Sequence, residues 1–247
     1  MWRPAFIPFL RSRRISLNID LSLAALLRRS SNIHRRRERR AYNEVLSTET
    51  RAKRPSYYLQ NFHFQSGGWM TDDSAERYDT QVEVLLNGAA NAIRRQALPQ
   101  LHEAFAGRDQ RKLRLLDIGC GTGRFLDFVK QTWPRLQTIG LDMSEAYLKH
   151  SQRHLKRWTR TGLVAGKAEA IPLPDNSQDA VTNTFLFHEL PPKVRRITIR
   201  ECARVLKPGR PFGNPRFTPT RRSSRLRRAL RALPAELSRA VLLELHY

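Results

Sequence analysis

The chain has 247 residues, 40% of them hydrophobic, which suits one large domain or a domain with appendages and excludes a wholly disordered chain. Its formal net charge of +23 sits in the flanks: residues 1–54 carry 14 Lys or Arg against 4 acids, residues 210–247 carry 9 Arg against 2, and +6 remains for residues 55–209. Two cysteines, Cys120 and Cys202, exclude a disulfide framework and a zinc-type spacing, and no apolar run approaches the roughly 20 residues that span a bilayer.

In chain order, residues 1–54 read as a basic, disordered N-terminal extension. The first forty residues hold many arginines and only Asp20 and Glu38 as acids, which also suits an organelle transit peptide. The expected location is therefore the cytoplasm, with a mitochondrial or plastid address as the alternative. The run "HRRRERR" (His34–Arg40) is a solvated charge run or a grip for phosphate backbones. Residues 55–112 form a helical N-terminal segment. Aromatics gather in "RPSYYLQNFHFQSGGWM" (Arg54–Met70), with a loop at Ser66-Gly67-Gly68. From Asp73 to about Phe105, Val82, Val84, Leu85, Leu86, Ala89, Ala92, Ile93 and Leu98 recur at helical spacing, which predicts one or two helices broken at Pro99.

After Gly107 strands and helices alternate. "LRLLDIG" is a first strand, and "GRFLDFVKQTW" a helix with Phe125, Phe128 and Val129 at core spacing. "QTIGLDM" (Gln137–Met143) is a second strand, with Ser144 as N-cap of the helix "EAYLKHSQRHLKRW". "GLVAGKA" is a third strand, Ala180 to about Phe185 a fourth, and "PPKVRRITIRECARVL" a helix closed by Lys207-Pro208-Gly209. Such alternation indicates right-handed crossovers and a parallel α/β sheet.

In "LRLLDIGCGTGRFLDF" three glycines, Gly119, Gly121 and Gly123, stand between a buried strand and a helix start. Glycine is costly to order, but here it permits a tight turn and close approach of a ligand at the carboxyl end of a strand, beside unpaired N–H groups of the helix start. A dinucleotide site wants its third glycine where this chain has Arg124. The chain instead offers D-x-G-x-G-x-G, Asp117 to Gly123.

"LLDIGCGTGRFL" resembles the first motif of class I S-adenosylmethionine-dependent methyltransferases, of the methyltransferase type 11 kind. The likeness continues through "IGLDMSEAYL", "GKAEAIPLPDNSQDAVTNTFLFHEL" and "ARVLKPG" and covers residues 113–209. It implies a Rossmann-like doubly wound sheet and S-adenosyl-L-methionine as cofactor. On this likeness, Asp117 and the backbone of Gly119, Cys120, Gly121 and Gly123 meet the methionine part. Asp142 accepts from both ribose hydroxyls, a task suited to two carboxylate oxygens; capping the next helix is its plainer reading. Met143 packs on the adenine or in the core. Ala168 and Glu169 read the adenine edge, unless Glu169 is a solvated loop acid. Asn183 and Thr184 lie beneath the sulfonium.

Transfer from a sulfonium needs mainly positioning, and a base only where the acceptor must lose a proton. His188 is a weak catalytic candidate, with Glu189 beside it; His150 and His154, four apart on a helix, read as surface rather than metal ligands. The family likeness places substrate selection in the segment before the first strand. There Tyr57, Tyr58, Phe62, Phe64, Trp69 and Tyr78 either cover an apolar or aromatic small molecule or pack helix on sheet. The expected function is methyl transfer to a small-molecule acceptor. The alternatives are an RNA or protein methyltransferase using the basic flanks, since nucleic acid is a conceivable partner for them, and a cofactor-binding protein without turnover. No "NPPY"-like tetrad ends the fourth strand, which reads "TNTF".

The likeness stops at Gly209. Residues 210–247 form an Arg- and Pro-rich, atypical tail in which Pro211, Pro215 and Pro219 oppose a central strand. "RLRRALRALPAELSRAVLLEL" reads as at best two short helices. The expected sheet therefore lacks its last strands, with the fourth strand left as an edge and the fold marginally stable.

Overall fold

A computed structural model describes residues 54–59, 68–208 and the strand Leu242–Leu245. The N-terminal extension before Arg54, Phe62, Phe64 and the tail other than that strand lie outside the described residues.

Helix α1 (Asp72–Leu85) starts at Thr71, whose side chain accepts from the Ser74 N–H, and carries Asp72 and Asp73 in its first turn, where the helix dipole favours acids. The chain then turns at Asn87 and Gly88, both with positive φ (50° and 83°), before α2 (Ala90–Arg95) and α3 (Leu98–Phe105). The expected break at Pro99 is present, since α2 ends at Arg95 and Pro99 stands in the first turn of α3, where its missing N–H costs nothing; the turn at Asn87 and Gly88 is a further break. The expected apolar face of α1 is corrected. Val84 and Leu85 are exposed, and α1 instead buries Ser74 and Ala75.

The sheet and its helices follow the predicted alternation: β1 (Arg114–Ile118), α4 (Arg124–Thr132), β2 (Gln137–Asp142), α5 (Glu145–Leu155), β3 (Thr161–Ala165), β4 (Ala180–Thr184) and α6 (Pro192–Val205). Ser144 caps α5 as expected, its hydroxyl accepting from the Tyr147 N–H. All strand pairs are parallel, in the order β3-β2-β1-β4-β5, where β5 is Leu242–Leu245. Neighbouring side chains on β1 face opposite layers. Leu115 joins Leu101 and Phe105 of α3, Phe125, Leu126 and Val129 of α4 and Leu155 of α5. Leu116 and Ile118 join Val181 and, from α6, Ile199, Cys202 and Val205. Helices thus cover both faces, the doubly wound arrangement. Each fully buried leucine contributes roughly 1.5–3 kcal/mol.

The tail corrects one expectation. Val181 to Thr184 of β4 register with Leu242 to Leu245, so β4 is not an edge and "LLEL" is strand rather than helix. Strand order reverses between β1 and β4, and the crevice outside their carboxyl ends is where open α/β sheets hold ligands.

Candidate functional site

The turn after β1 is built by Gly119, Gly121 and Gly123, all in the left-handed region (φ 66°, 53° and 76°). The three do different work. Gly119 and Gly121 line a cavity at the reversal point, and a Cβ at Gly121 would meet only Tyr147 Cδ1 at 3.8 Å. Gly123 is the N-cap of α4 and lies outside the cavity; a Cβ there would run into Ser151 Oγ and come within 2.9 Å of Leu155 Cδ1, both on α5. Its bareness serves helix packing. The turn's N–H groups are also largely committed. Those of Gly119 and Cys120 donate to the Leu141 carbonyl (2.7 and 3.1 Å), Gly121 to Asp142 Oδ2 (2.8 Å) and Gly123 to the Cys120 carbonyl (2.9 Å). What Gly119 and Gly121 offer a ligand is access rather than a row of donors. The Cys120 side chain is buried in the core, where loss of solvent holds its thiol well above the usual range.

Asp117, fully buried on β1, faces its register partner Thr182, whose hydroxyl donates to Oδ1 at 2.7 Å. Its Oδ2 is buried without a partner. Burial pushes this carboxyl up to about 7 against the Thr182 hydrogen bond, and the Asp142 charge adds to the rise. From the ordinary aspartate value of 3.8 up to about 7, the folded chain keeps a proton that the unfolded chain has released. This group therefore lowers stability as pH rises through that window, and changes nothing further above it. An Asp117→Asn chain is expected to lose that slope and to exceed the parent at pH 8, by on the order of a few kcal/mol. Urea melts at pH 5 and pH 8 check this; an equal parent–variant difference at both would refute it.

Asp142 ends β2 and lines the cavity. Its Oδ1 accepts from Ser144 N–H and its Oδ2 from Gly121 N–H, both at 2.8 Å, so the carboxylate fastens the β2 end to the glycine turn. Burial raises its pKa against the backbone hydrogen bonds to Ser144, Gly121 and Met143.

The N-terminal segment closes one side. Arg54 donates to the Met143 carbonyl, Tyr57 OH to Glu169 Oε1 (2.6 Å), and Ser144 Oγ to the Trp69 carbonyl. The Tyr58 and Trp69 rings lie 6.0 Å apart, and both line the cavity with Tyr57, Met143, Ala168 and Glu169. Tyr78 of α1 stands edge-on to Tyr147 of α5 (5.4 Å, 70°), and the Tyr147 hydroxyl shares a 2.9 Å hydrogen bond with Ser74. The far wall is Thr184, Phe185, Leu186 and Leu190. Phe185 has φ 63°, a sparsely populated backbone for an aromatic residue, placed at the end of β4 beside the cavity.

The structure thus brings together Gly119, Gly121, Asp142, Met143, Ala168, Glu169 and Thr184 on one cavity. Asp117, Cys120, Gly123 and Asn183 are buried outside its lining. Asn183 is fully buried, and neither of its side-chain polar atoms has a partner among the described residues. His188, 46% exposed, is not in the lining; its Nε2 lies 3.0 Å from Oε1 of Glu189, which is. His154 Nδ1 is 3.1 Å from the Thr122 carbonyl, and no group of three or more potential metal ligands occurs among the described residues. Tyr147, Gly166, Phe185, Leu186 and Leu190 were not singled out from the sequence. Tyr147 and Leu190 look like ordinary core positions there, and only the positive φ of Phe185, invisible in sequence, marks the second wall. The charged lining residues among those described are Asp142, Glu169 and Glu189, with no lysine or arginine. Such a cavity favours a ligand that carries positive charge and offers hydrogen-bond donors, with aromatic faces for flat or cationic groups.

A family described as "Methyltransferase domain" matches residues 115–209. Malonyl-[acyl-carrier protein] O-methyltransferase of Methylococcus capsulatus is 38% identical over 96 residues, which are 39% of this chain and 34% of that protein. Demethylmenaquinone methyltransferase of Lactiplantibacillus plantarum is 33% identical over 155 residues, 61% of this chain and 62% of the relative. Demethylmenaquinone methyltransferase of Renibacterium salmoninarum is 32% identical over 176 residues, 69% of this chain and 68% of the relative. The chain therefore spans about a third and about three fifths of the first two relatives.

Proposed function

This chain belongs to the class I S-adenosylmethionine-dependent methyltransferases, and we propose that within that family it methylates a neutral, ring-bearing small molecule. S-adenosylmethionine, which supplies a methyl group activated on a sulfonium, is the cofactor, and the residues present fit it. The cofactor carries two cationic centres, and the site offers Asp142, Glu169 and Glu189, with no lysine or arginine in the lining among the described residues. An oxygen of Glu169, in the lining, lacks a donor among the described residues. Asp142, held by two backbone N–H groups, would bind the ribose hydroxyls, Met143 and Ala168 would flank the base, and Gly119 and Gly121 would leave room for the methionine part.

The observation that carries the acceptor class is the cavity's lining: aromatic and aliphatic walls, acids as the charged groups among the described residues, and no lysine or arginine. A polyanionic nucleic acid or a carboxylate acceptor would meet like charge there, whereas a neutral ring would stack on Trp69, Tyr78 and Phe185. The demethylmenaquinone methyltransferases among the relatives support a quinol-like ring over the carboxylate implied by the malonyl relative, whose match is the shorter. An acceptor hydroxyl that must lose its proton would meet Glu189, whose Oε1 lies 3.0 Å from Nε2 of half-exposed His188, a route for that proton to solvent. The basic flanks lie outside the described residues.

The test is methyl incorporation from labelled S-adenosylmethionine into neutral quinols and phenols, carboxylates and RNA. Incorporation is expected in the neutral rings, and preferential labelling of RNA or a carboxylate would overturn the reading.

A further inference from the structure

We propose that Tyr57 is a positioning residue that sets base specificity in the cofactor site: by engaging Glu169 Oε1, it commits Oε2 to the amino group of an adenine ring. The inference rests on the cofactor assigned above and concerns a residue outside the matched region 115–209. Two observations carry it. The Tyr57 hydroxyl lies 2.6 Å from Glu169 Oε1, across 112 residues of sequence, and both residues line the cavity. The other oxygen, Oε2, is buried and has no hydrogen-bond partner among the described residues. A buried acceptor left unpaired is costly, so the site is built for a donor there.

The direction of the tyrosine bond follows from chemistry. An ionised carboxylate only accepts, and burial together with Glu169 holds the Tyr57 phenol protonated far above the usual range. With Oε1 engaged, the carboxylate cannot swing freely, so the ligand meets one fixed acceptor. Adenine presents a 6-amino donor to such an acceptor. Hypoxanthine, its deaminated counterpart, presents a carbonyl oxygen, which a carboxylate oxygen repels. Without the tyrosine hydroxyl, Glu169 can rotate away from either base, and the distinction between them fades.

A merely structural role predicts something else. If the Tyr57–Glu169 bond only fastens the N-terminal segment to the loop after β3, its loss weakens both ligands equally. The experiment is calorimetric titration of the full chain with S-adenosylhomocysteine and with S-inosylhomocysteine, for the parent, Tyr57→Phe and Glu169→Gln. The parent should prefer the adenosyl ligand by about tenfold or more, as for a hydrogen bond to a charged group. Tyr57→Phe should narrow the preference to about threefold or less, chiefly through weaker adenosyl binding. Glu169→Gln should narrow it at least as far, since its amide can donate to the hypoxanthine carbonyl. A Tyr57→Phe chain that keeps the parental ratio, even with both affinities reduced, overturns the proposal, as does an unchanged ratio in Glu169→Gln. A parent that binds neither ligand overturns the cofactor assignment itself, a result distinguishable from the other two.

Discussion

A Gly123→Val chain is expected to lose about 3–5 kcal/mol of stability, from backbone strain and overpacking together. Residue 123 caps α4 with φ 76°, where a β-branched residue is strained. The added side chain would also strike Ser151 and Leu155, two buried residues of α5 whose side chains would have to shift within a packed core. Against a typical domain stability of roughly 5–15 kcal/mol, the loss should leave much of the chain insoluble. Urea or thermal melts of the soluble fraction measure it, and a parental midpoint would disprove the packing role. Gly121→Ala supplies the contrast: its Cβ meets open space beyond Tyr147, so only the strain of φ 53° remains.

Replacing Asp142 by Ala is expected to weaken S-adenosylhomocysteine binding by about 1.5–3 kcal/mol, roughly ten- to 150-fold, the range for hydrogen bonds to a charged acceptor. The change also strips the Gly121 and Ser144 N–H groups of their acceptor, so some folding stability goes with it. Asp142→Asn separates the two effects, because its remaining oxygen can still serve one N–H while the charge is gone. Calorimetry that finds parental affinity in the Ala variant would remove Asp142 from the cofactor site.

The parts of this molecule legible in sequence are those written in local pattern. β1 carries a short apolar run, α4 repeats Phe125 and Val129 on one face, and Ser144 announces α5 as a cap does. The glycine spacing marked the turn, but spacing cannot say which way a missing Cβ faces, and so Gly123 looked like its two neighbours. The buried face of α1 is not legible in its sequence because its contacts are polar and distant: Ser74 meets Tyr147 across 73 residues. A longer separation, 112 residues, hides the Tyr57–Glu169 pair. The segment "VLLEL" suits helix or strand equally by pattern. The open side of β4, a tertiary fact, decides for the strand.

Trp69 gives the protein an optical handle. It lines the cavity, whereas Trp133 lies in the core edge-on to Phe105 and Trp158 donates to Asp127 beneath the Arg157 guanidinium. A ligand filling the cavity changes the polarity around one of the three indoles among the described residues and leaves the other two as a constant background. Emission from the unlabelled chain can therefore report occupancy, and a Trp69→Phe chain titrated with the same ligand supplies the blank.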